Sequence, residues 1–528
     1  MTTILLWALA PAALLCFALL LAFSTALVLT GEKLRLWRRC GPAWALLTAS
    51  VVFALCGPSF RGLNDETSFL NIANALWVTG KANSYPEWIW KSGELIPYFE
   101  RLTFRPVLFP ALLLIPRMLL GQSWMFGFAL NFVVVAALFF FAFKRGDRGA
   151  NFSSLFAILV LAANPVLCLS AASSGYDILS LGFAALSFVA LYRYQASRDS
   201  ILLGIAVFSA ACFASTRIEG ILAMALICLF AFPTARAGRS WTRDFSIILV
   251  GAILVLPVLV QRTTYYPHVD IKSAQDMVNW ANVWPHAISF VSGFFLELFG
   301  PFPILTHAIG AVFLVGRWRS GWLNECKALL LFLSIYLLFL FLFHDGNLKL
   351  PFQARLYLPF SVALCLAAAE WLIVETRQRY RQLLSAAFLA QLAISLPVMQ
   401  KGVVYFVPPI EEEFNAVKNF VASHEEKSIY IYLNPGPISA FGKAAIQPKT
   451  FDRNRDWFRQ MVSEESLGPI YLIEAWPPQK GARPLTLEEG DSKLLQEVQM
   501  KHLRTLRFYE INASAVSRGP APKSPQPQ

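Results

Sequence analysis

Two acidic sites in this chain have the chemistry of a proton acceptor. Asn64-Asp65-Glu66 follows an apolar run, and Asp177 ends the short segment 173–177 between two further apolar runs. A carboxylate beside a hydroxyl group can act as a general base, which typically contributes about 10²–10⁴-fold to a rate. Acidic residues also favour a helix N-terminus, so helix capping explains both sites equally well, for Asp65 and Glu66 at the start of a helix over 68–78.

Basic residues recur beside apolar runs, where they could bind an anion. These residues are Arg101, Arg105, Arg217, Lys349 and Arg355. Arginine and lysine can hold a phosphate group, and ionisable residues close to a membrane often serve a function. Arg217 and Glu219 interrupt two apolar runs with almost no loop between them. An ion pair between these two residues, or snorkelling to the membrane surface, explains them without a ligand, and that alternative stays open.

The composition indicates that most of the chain lies in a membrane. Of its 528 residues 56% are hydrophobic and 15% charged, with a mean hydropathy of +0.52. Soluble domains have about 45–50% apolar and about 25% charged residues. The net charge of +12 does not predict a nucleic-acid partner, because the basic residues form short clusters between apolar runs rather than one stripe. The eight cysteines include no CxxC pair, which argues against a disulfide framework or a zinc site.

About twelve apolar segments are long enough to be transmembrane helices. They are 4–30, 42–58, 123–143, 152–171, 177–194, 200–216, 219–233, 245–261, 290–315, 325–343, 354–374 and 382–400. Residues 104–120 are also apolar but contain three prolines and Arg117. We interpret them as a half-inserted or interfacial segment, which is tolerated where protein covers the backbone.

The basic connections predict the orientation. Cytoplasmic loops carry an excess of lysine and arginine. If the first connection, with Lys33, Arg35, Arg38 and Arg39, is cytoplasmic, every other strongly basic connection falls on the same side. Loop 59–122, the turn at 173–177, loops 262–289 and 344–353, and everything after residue 400 are then extracytoplasmic.

The C-terminal part has a different composition and predicts a small soluble domain. Helices are expected at 411–423, 455–465 and 488–500, and strands at 428–433, 469–474 and 503–511. Alternating helices and strands indicate an α/β layer. We therefore predict a transmembrane domain over 1–400, in which loop 59–122 carries juxtamembrane helices, an α/β domain over 401–515 and a disordered tail over 516–528.

The order of these motifs resembles GT-C glycosyltransferases of the dolichyl-phosphate-mannose mannosyltransferase and aminoarabinose transferase type. Over residues 42–375 the resemblance rests, in order, on Asp65-Glu66, Tyr98-Phe99-Glu100-Arg101 with Arg105-Pro106, Asn164-Pro165 with Gly175-Tyr176-Asp177, Thr216-Arg217-Ile218-Glu219-Gly220, Lys349-Leu350-Pro351 and Arg355-Leu356-Tyr357-Leu358-Pro359. The chain departs from the family in its extra first span, 4–30. Arg101 and Arg105 also compete for one basic position of the family, and 401–528 resembles nothing in it.

The resemblance implies transfer of a sugar from a polyprenyl-phosphate carrier to a lipid, glycan or protein acceptor outside the plasma or inner membrane. It implies that Asp65 is the general base and that Glu66 and Asp177 orient the acceptor or the base. Arg217 and one of Arg101 or Arg105 are expected to contact the donor phosphate. Glu219, Lys349, Arg355 and Tyr357 complete the expected binding residues. No cofactor follows from the sequence, and a role for a divalent metal stays open.

Three other functions fit parts of the sequence. A polytopic transporter tends to show internal repeats and broken helices at the membrane midplane, whereas no repeat is visible and the acidic residues lie at span ends. A lipid-carrier ligase or polymerase would share the basic residues without needing the Asp65-Glu66 loop. A non-enzymatic scaffold fits if the acidic residues are only helix caps.

Overall fold

The computed structural model describes most of the chain. The described residues are 10–20, 22, 41–58, 63–83, 87–91, 94–98, 103, 105–121, 123–145, 160–238, 240–265, 278–298, 300–318, 327–343, 353–375, 377–406, 408–424, 427–463, 468–476, 490–500, 505–512 and 516. Arg101, Lys349 and tail residues 517–528 lie outside them.

Helices dominate the first four hundred residues. They are α1 (Ala10–Leu20), α2 (Gly41–Cys56), α3 (Leu63–Thr79), α4 (Leu108–Leu112), α5 (Leu114–Leu120), α6 (Phe126–Arg145), α7 (Pro165–Ala171), α8 (Asp177–Ser197), α9 (Ser200–Ala214), α10 (Glu219–Arg236), α11 (Trp241–Tyr265), α12 (Val283–Phe295), α13 (Ile304–Trp318), α14 (Lys327–Leu342), α15 (Leu358–Val374) and α16 (Gln378–Phe406). Short 3-10 helices span Trp280–Asn282 and Gln353–Tyr357.

Five of the described helical stretches are long and apolar enough to cross a membrane. They are Asp177–Ser197, Glu219–Arg236, Trp241–Gln261, Gln353–Leu372 and Gln378–Met399. Seven shorter apolar helices accompany them. The count of about twelve spans therefore stays a prediction.

The expected single span over 290–315 is wrong. The structure has two helices there, α12 ending at Phe295 and α13 beginning at Ile304. Pro301 and Pro303 lie between them, and a proline cannot donate the backbone hydrogen bond that a continuous helix requires. The described part of segment 104–120, residues 105–120, forms the short helices α4 and α5, which together are shorter than the roughly 20 residues of a span.

The chain forms two compact units. The first comprises Met1–Ser59, Pro106–Phe109 and Gly127–Phe406, and the second comprises Phe60–Arg105, Pro110–Phe126 and Val407–Gln528. This division differs from the predicted domain boundaries, because most of loop 59–122 belongs to the same unit as the C-terminal part.

Helices α8 to α11 pack against one another in the first unit. Helix α9 is buried on nearly all sides, as an all-apolar helix requires. Short connections make consecutive helices run in opposite directions, so α8 and α10 both begin at one end of the unit. At the other end the buried carboxylate of Asp244 accepts hydrogen bonds from Tyr194, at 2.9 Å, and from Ser200. These bonds fix the helix ends to one another.

A seven-stranded sheet forms the core of the second unit. Its strands are β1 (Trp88–Lys91), β2 (Glu94–Pro97), β3 (Ile429–Tyr432), β4 (Ala444–Ile446), β5 (Ile470–Trp476), β6 (Ser492–Gln499) and β7 (Thr505–Ile511), in the order β2-β1-β4-β3-β5-β7-β6. The helices of this part are α17 (Pro408–Ala422), α18 (Gly436–Ala440), α19 (Pro448–Arg453) and α20 (Arg455–Ser463). Strand β3 is parallel to β4 and β5, and the other pairs are antiparallel.

The structure confirms most elements expected in the C-terminal part and corrects one. The helix expected over 488–500 is wrong, because residues 492–499 form β6 and pair with β7. The segment Lys493-Leu494-Leu495-Gln496-Glu497 has a helix-forming composition, and the long β7 partner overrides that preference. Strand β6 is mostly exposed, as expected of an edge strand.

Glu87 is a buried acid that joins loop 59–122 to the C-terminal part within the second unit. It is fully buried, and its Oε1 accepts hydrogen bonds from Thr450 Oγ1 at 2.9 Å and from the Gln447 amide at 3.3 Å. Its Oε2 has no hydrogen-bond partner among the described residues. Burial raises the pKa of Glu87 above its ordinary value, although the two hydrogen bonds oppose that rise.

We expect Glu87→Gln to stabilise the protein at neutral pH. The folded state holds the proton of Glu87 more firmly than the unfolded state does. The contribution of Glu87 to the free energy of unfolding is therefore fully present below the ordinary pKa of 4.5. It is lost as the pH rises through the higher pKa of the folded state. Glutamine carries no charge, so the gain in unfolding temperature over wild type should grow between about pH 4 and about pH 7. Exposed Glu94→Gln is the control, and an equal gain there would contradict the assignment to burial.

Candidate functional site

Arg217 lies in a very tight turn between α9 and α10. Thr216 Oγ1 donates to the Phe213 carbonyl at 2.9 Å, and the Arg217 amide donates to the same carbonyl at 2.7 Å. A Cβ added to Gly220 would lie 2.1 Å from the backbone nitrogen of Ala214. The close approach of the two helices therefore requires glycine there, which explains the Thr-Arg-x-x-Gly pattern.

Three acidic and phenolic side chains surround the Arg217 guanidinium. Nη1 donates to Asp177 Oδ1 at 2.7 Å. Nη2 and Nε donate to the two carboxylate oxygens of Glu219 at 2.8 and 3.2 Å, a bidentate pair. Nη2 also lies 3.4 Å from the Tyr336 hydroxyl oxygen. The side chain is only 11% exposed, so its position is fixed on several sides.

Arg355 provides a second, more accessible cation at the same carboxylate. Its Nη1 lies 3.7 Å from Asp177 Oδ2, and its side chain is 26% exposed. Asp177, Arg217, Glu219 and Arg355, with Tyr336, line one small cavity. The site thus carries two positive and two negative charges.

The electrostatics keep Arg217 protonated. Burial lowers the pKa of Arg217, but the carboxylate of Glu219 and the hydroxyl groups of Tyr336 and Tyr176 together raise it well above its ordinary value. Asp177 and Glu219 are the first residues of α8 and α10. A carboxylate at a helix N-terminus is stabilised by the helix dipole, so the backbone supports both negative charges.

Helix α6 holds the turn that leads into Asp177. Asn131 Nδ2 donates to the carbonyl oxygens of Ser173 and Gly175, at 2.7 Å each. A Cβ added to Gly127 would lie 1.9 Å from Ser174 Oγ. Glycine at this position lets α6 approach the turn, and the buried Asn131 then fixes it. Together they place Asp177 beside Arg217.

We expect Gly127→Ala to displace this turn. The added methyl group overlaps Ser174 Oγ, and overpacking of this kind costs about 1–3 kcal/mol. Thermal unfolding of the purified protein should shift down, and Gly127→Ala/Ser174→Ala should recover part of the loss. Gly182→Ala is the matched control on α8, because its added Cβ meets α6 only at 3.6 Å, an ordinary contact. Equal stability of Gly127→Ala and Gly182→Ala would contradict the close packing of the turn.

Comparisons with known proteins bear on the fold of this chain. No protein-family model matches the sequence, and no curated protein sequence matches it. The crystal structure of ArnT from Cupriavidus metallidurans bound to undecaprenyl phosphate matches with a TM-score of 0.54 at 12% identity, over 89% of this chain and 98% of that chain. The apo structure of ArnT from the same organism matches with a TM-score of 0.51 at 13% identity, over 91% and 100% of the two chains. ArnT is an aminoarabinose transferase of the GT-C type.

This chain has the GT-C fold. The fold predicted from the motif order is thereby confirmed, at an identity too low to carry a function with it. A cryo-EM structure of the arabinosyltransferase EmbB from Mycobacterium smegmatis is a more distant match, with a TM-score of 0.37 at 13% identity over 73% of this chain and 43% of that chain.

Within the GT-C fold, the structure brings together four of the residues singled out in the sequence: Asp177, Arg217, Glu219 and Arg355. The ion pair considered as the alternative for Arg217 and Glu219 is present. Tyr357 is fully buried, with its ring 5.5 Å from that of Phe290. Its expected role in binding stays a prediction.

Asp65, Glu66 and Arg105 belong to the second unit. Asp65 and Glu66 lie in the first turn of α3, which begins at Leu63 rather than at residue 68 as expected. They are therefore part of the helix and do not precede it. Glu66 is buried, whereas the side chain of Asp65 lies outside the described residues. Arg105 is half-buried, and its amide donates to Thr103 Oγ1 at 2.9 Å.

The sequence did not predict Tyr336 and Asn131. Tyr336 is a single hydroxyl-bearing aromatic residue in the otherwise apolar later part of α14, and Asn131 is an amide within the apolar α6. A polar group inside an apolar helix needs a partner, and this signal could have found both. Among the described residues, no group of three or more His, Cys, Asp or Glu side chains could hold a metal ion.

Proposed function

We propose that this protein is a membrane glycosyltransferase that moves a sugar from a polyprenyl-phosphate carrier to an acceptor on the extracytoplasmic side. The observation that carries this proposal is the GT-C fold, shared over 89% of the chain with ArnT bound to undecaprenyl phosphate. The charged cavity of Asp177, Arg217, Glu219 and Arg355 supports it, because a phosphate needs cations. The acceptor is a lipid, a glycan or a protein.

The reaction is a substitution at the anomeric carbon of the sugar. The acceptor hydroxyl oxygen forms the new bond to that carbon, and the bond to the carrier phosphate oxygen breaks. The polyprenyl phosphate leaves with the bonding electron pair, and a base takes the hydroxyl proton. We assign that base to Asp65, with Glu66 and Asp177 as orienting residues, as the GT-C resemblance implies.

The cations divide into two roles in this proposal. Arg217 is bound by two carboxylates and is only 11% exposed, so it holds Asp177 and Glu219 in place and adds positive charge to the cavity. Arg355 is more exposed and 3.7 Å from Asp177, so it can turn towards a phosphate at lower cost. Arg101 or Arg105, with Lys349, would add to the binding of the carrier.

The proposed orientation follows from the ends of the helices. Helix α8 begins at Asp177 and is capped at its other end by Arg198, about 30 Å away at 1.5 Å per residue. Helix α10 likewise begins at Glu219 and carries Arg236 in its last turn. Because basic residues favour the cytoplasmic side, the charged cavity would face the opposite side.

A transfer assay tests the proposal. Purified full-length protein in nanodiscs is mixed with a labelled polyprenyl-phosphate sugar and a membrane-lipid extract as acceptor. We expect release of free polyprenyl phosphate and movement of the label to the acceptor fraction. The same sugar supplied as a nucleotide conjugate is the control and should give no transfer. An intact carrier after prolonged incubation with lipid, glycan and protein acceptors would contradict the proposal, and vectorial movement of the uncleaved carrier would favour a transporter.

A further inference from the structure

The acidic helix α3 is docked on the C-terminal part of the second unit. It packs against the short helix α18. Asn71 Nδ2 donates to the Gly436 carbonyl at 3.2 Å, and Asn74 Nδ2 donates to the Ser439 carbonyl at 3.2 Å. Both asparagine side chains are buried. Because a buried amide without a partner costs about 1–3 kcal/mol, these bonds hold α3 at one height along α18.

The contact also fixes the rotation of α3. Thr67, Asn71 and Asn74 are spaced by four and three residues, which places them on one face of the helix. A Cβ added to Gly436 would lie 2.8 Å from Thr67 Oγ1, so glycine lets α18 approach this face. Thr67 is fully buried and lies two positions after Asp65.

Helix α18 is itself held by the sheet. It connects the parallel strands β3 and β4, and Ile438 is fully buried in the cluster that covers one face of the sheet. The hairpin β1–β2 follows α3 in the chain and extends the same sheet, with Trp88 paired to Ala445 of β4. Arg117 of α5 donates to Asn74 Oδ1, so the same side chain joins α3 to both α5 and α18. The helix is therefore fixed at both its face and its C-terminal end.

We propose that the C-terminal part of this chain serves to position Asp65, with α18 setting the height and rotation of α3. Asn71, Asn74 and Gly436 are positioning residues that act through the helix. This inference rests on the proposed function. A displacement of about 1 Å at a reacting group can cost about 10²-fold in rate, so a helix that carries the base needs such a fixed support.

Gly436→Ala tests the positioning. The added methyl group should push α3 away and lower kcat for sugar transfer between about 10-fold and about 10²-fold, with the donor Kd within about twofold of wild type. Gly436→Ala/Thr67→Ala removes the overlapping Oγ1 and should recover much of kcat. Hydrogen exchange should quicken in α3 of the single variant. Gly316→Ala is the control, because its added Cβ meets nothing within 4 Å.

Asn71→Ala is the second variant, for use if Gly436→Ala does not fold. It removes the hydrogen bond to α18 without adding an atom. Asn454→Ala is its control, because that side chain belongs to the same unit and donates to the Thr450 carbonyl at 2.8 Å rather than to α18. We expect Asn71→Ala to lower kcat and Asn454→Ala to leave it unchanged.

A double-variant cycle with Asp65→Asn separates the two proposals. If α18 acts through Asp65, Gly436→Ala should lower kcat for sugar transfer in the wild-type background. In the Asp65→Asn background it should leave kcat almost unchanged. A low rate for Asp65→Asn with normal rates for folded Gly436→Ala and Asn71→Ala would overturn the positioning and leave the base in place. Equal losses in both backgrounds would also overturn it. Full activity of Asp65→Asn would overturn the base assignment and this inference with it, while transfer by the wild type would still support the glycosyltransferase.

Discussion

Asp65→Asn is expected to lower kcat for sugar transfer by about 10²-fold or more. The asparagine side chain has nearly the same shape as aspartate but cannot accept the proton of the acceptor hydroxyl. Asp65 lies in the first turn of α3, so loss of its charge removes only a modest interaction with the helix dipole, about 0.3–1 kcal/mol. The prediction is therefore a large loss of rate at nearly unchanged thermal stability and donor affinity.

A matched substitution at another helix start controls for loss of charge alone. Asp199 caps α9, and its side chain accepts a hydrogen bond from the Ile201 amide at 2.9 Å. Asparagine is an equally good cap, so Asp199→Asn should transfer sugar at the wild-type rate. Single-turnover kinetics with labelled donor would measure both variants. Folded Asp65→Asn with a normal rate would remove Asp65 as the base and leave the GT-C proposal dependent on the fold.

The sequence predicted the charged cavity to the extent that its residues interrupt apolar runs. Arg217 and Glu219 stand out for this reason, and their spacing indicated the ion pair that the structure shows. The pairing of Arg217 with Asp177 links residues 40 positions apart, and no local pattern encodes it. It arises because α8 and α10 begin at the same end of the first unit.

Long-range pairing also explains what the sequence analysis missed in the second unit. Asn71 and Gly436 are separated by 365 positions, and the hairpin β1–β2 pairs with a strand of the C-terminal part. The hydrophobic pattern identifies a strand or helix but not its partner. For the same reason the edge strand β6 was expected as a helix: its residues favour a helix, and only pairing with β7 makes them a strand.

Replacement of the two arginines of the cavity is expected to have different effects, on stability for Arg217 and on donor binding for Arg355. Arg217→Gln leaves two nearly buried carboxylates, Asp177 and Glu219, without their closest cation. Breaking a buried ion pair by removing one partner costs about 3–5 kcal/mol. We therefore expect a large loss of stability, measured by chemical denaturation in detergent micelles. Arg217→Gln/Glu219→Gln removes one of the unpaired charges and should recover part of that loss.

Arg355→Gln should instead weaken donor binding at nearly unchanged stability. The side chain is 26% exposed and 3.7 Å from Asp177, so its loss leaves Asp177 still paired with Arg217. A charge-assisted hydrogen bond to a phosphate contributes about 1.5–3 kcal/mol, which corresponds to a rise in donor Kd of between about 10-fold and about 10²-fold. Titration of purified variants with a fluorescent polyprenyl phosphate measures that Kd, with exposed Arg377→Gln as the control.

If the donor Kd of Arg355→Gln equals that of the control, the carrier phosphate does not bind at Arg355. A loss of stability in Arg355→Gln as large as that in Arg217→Gln would show that both arginines serve the ion-pair network alone.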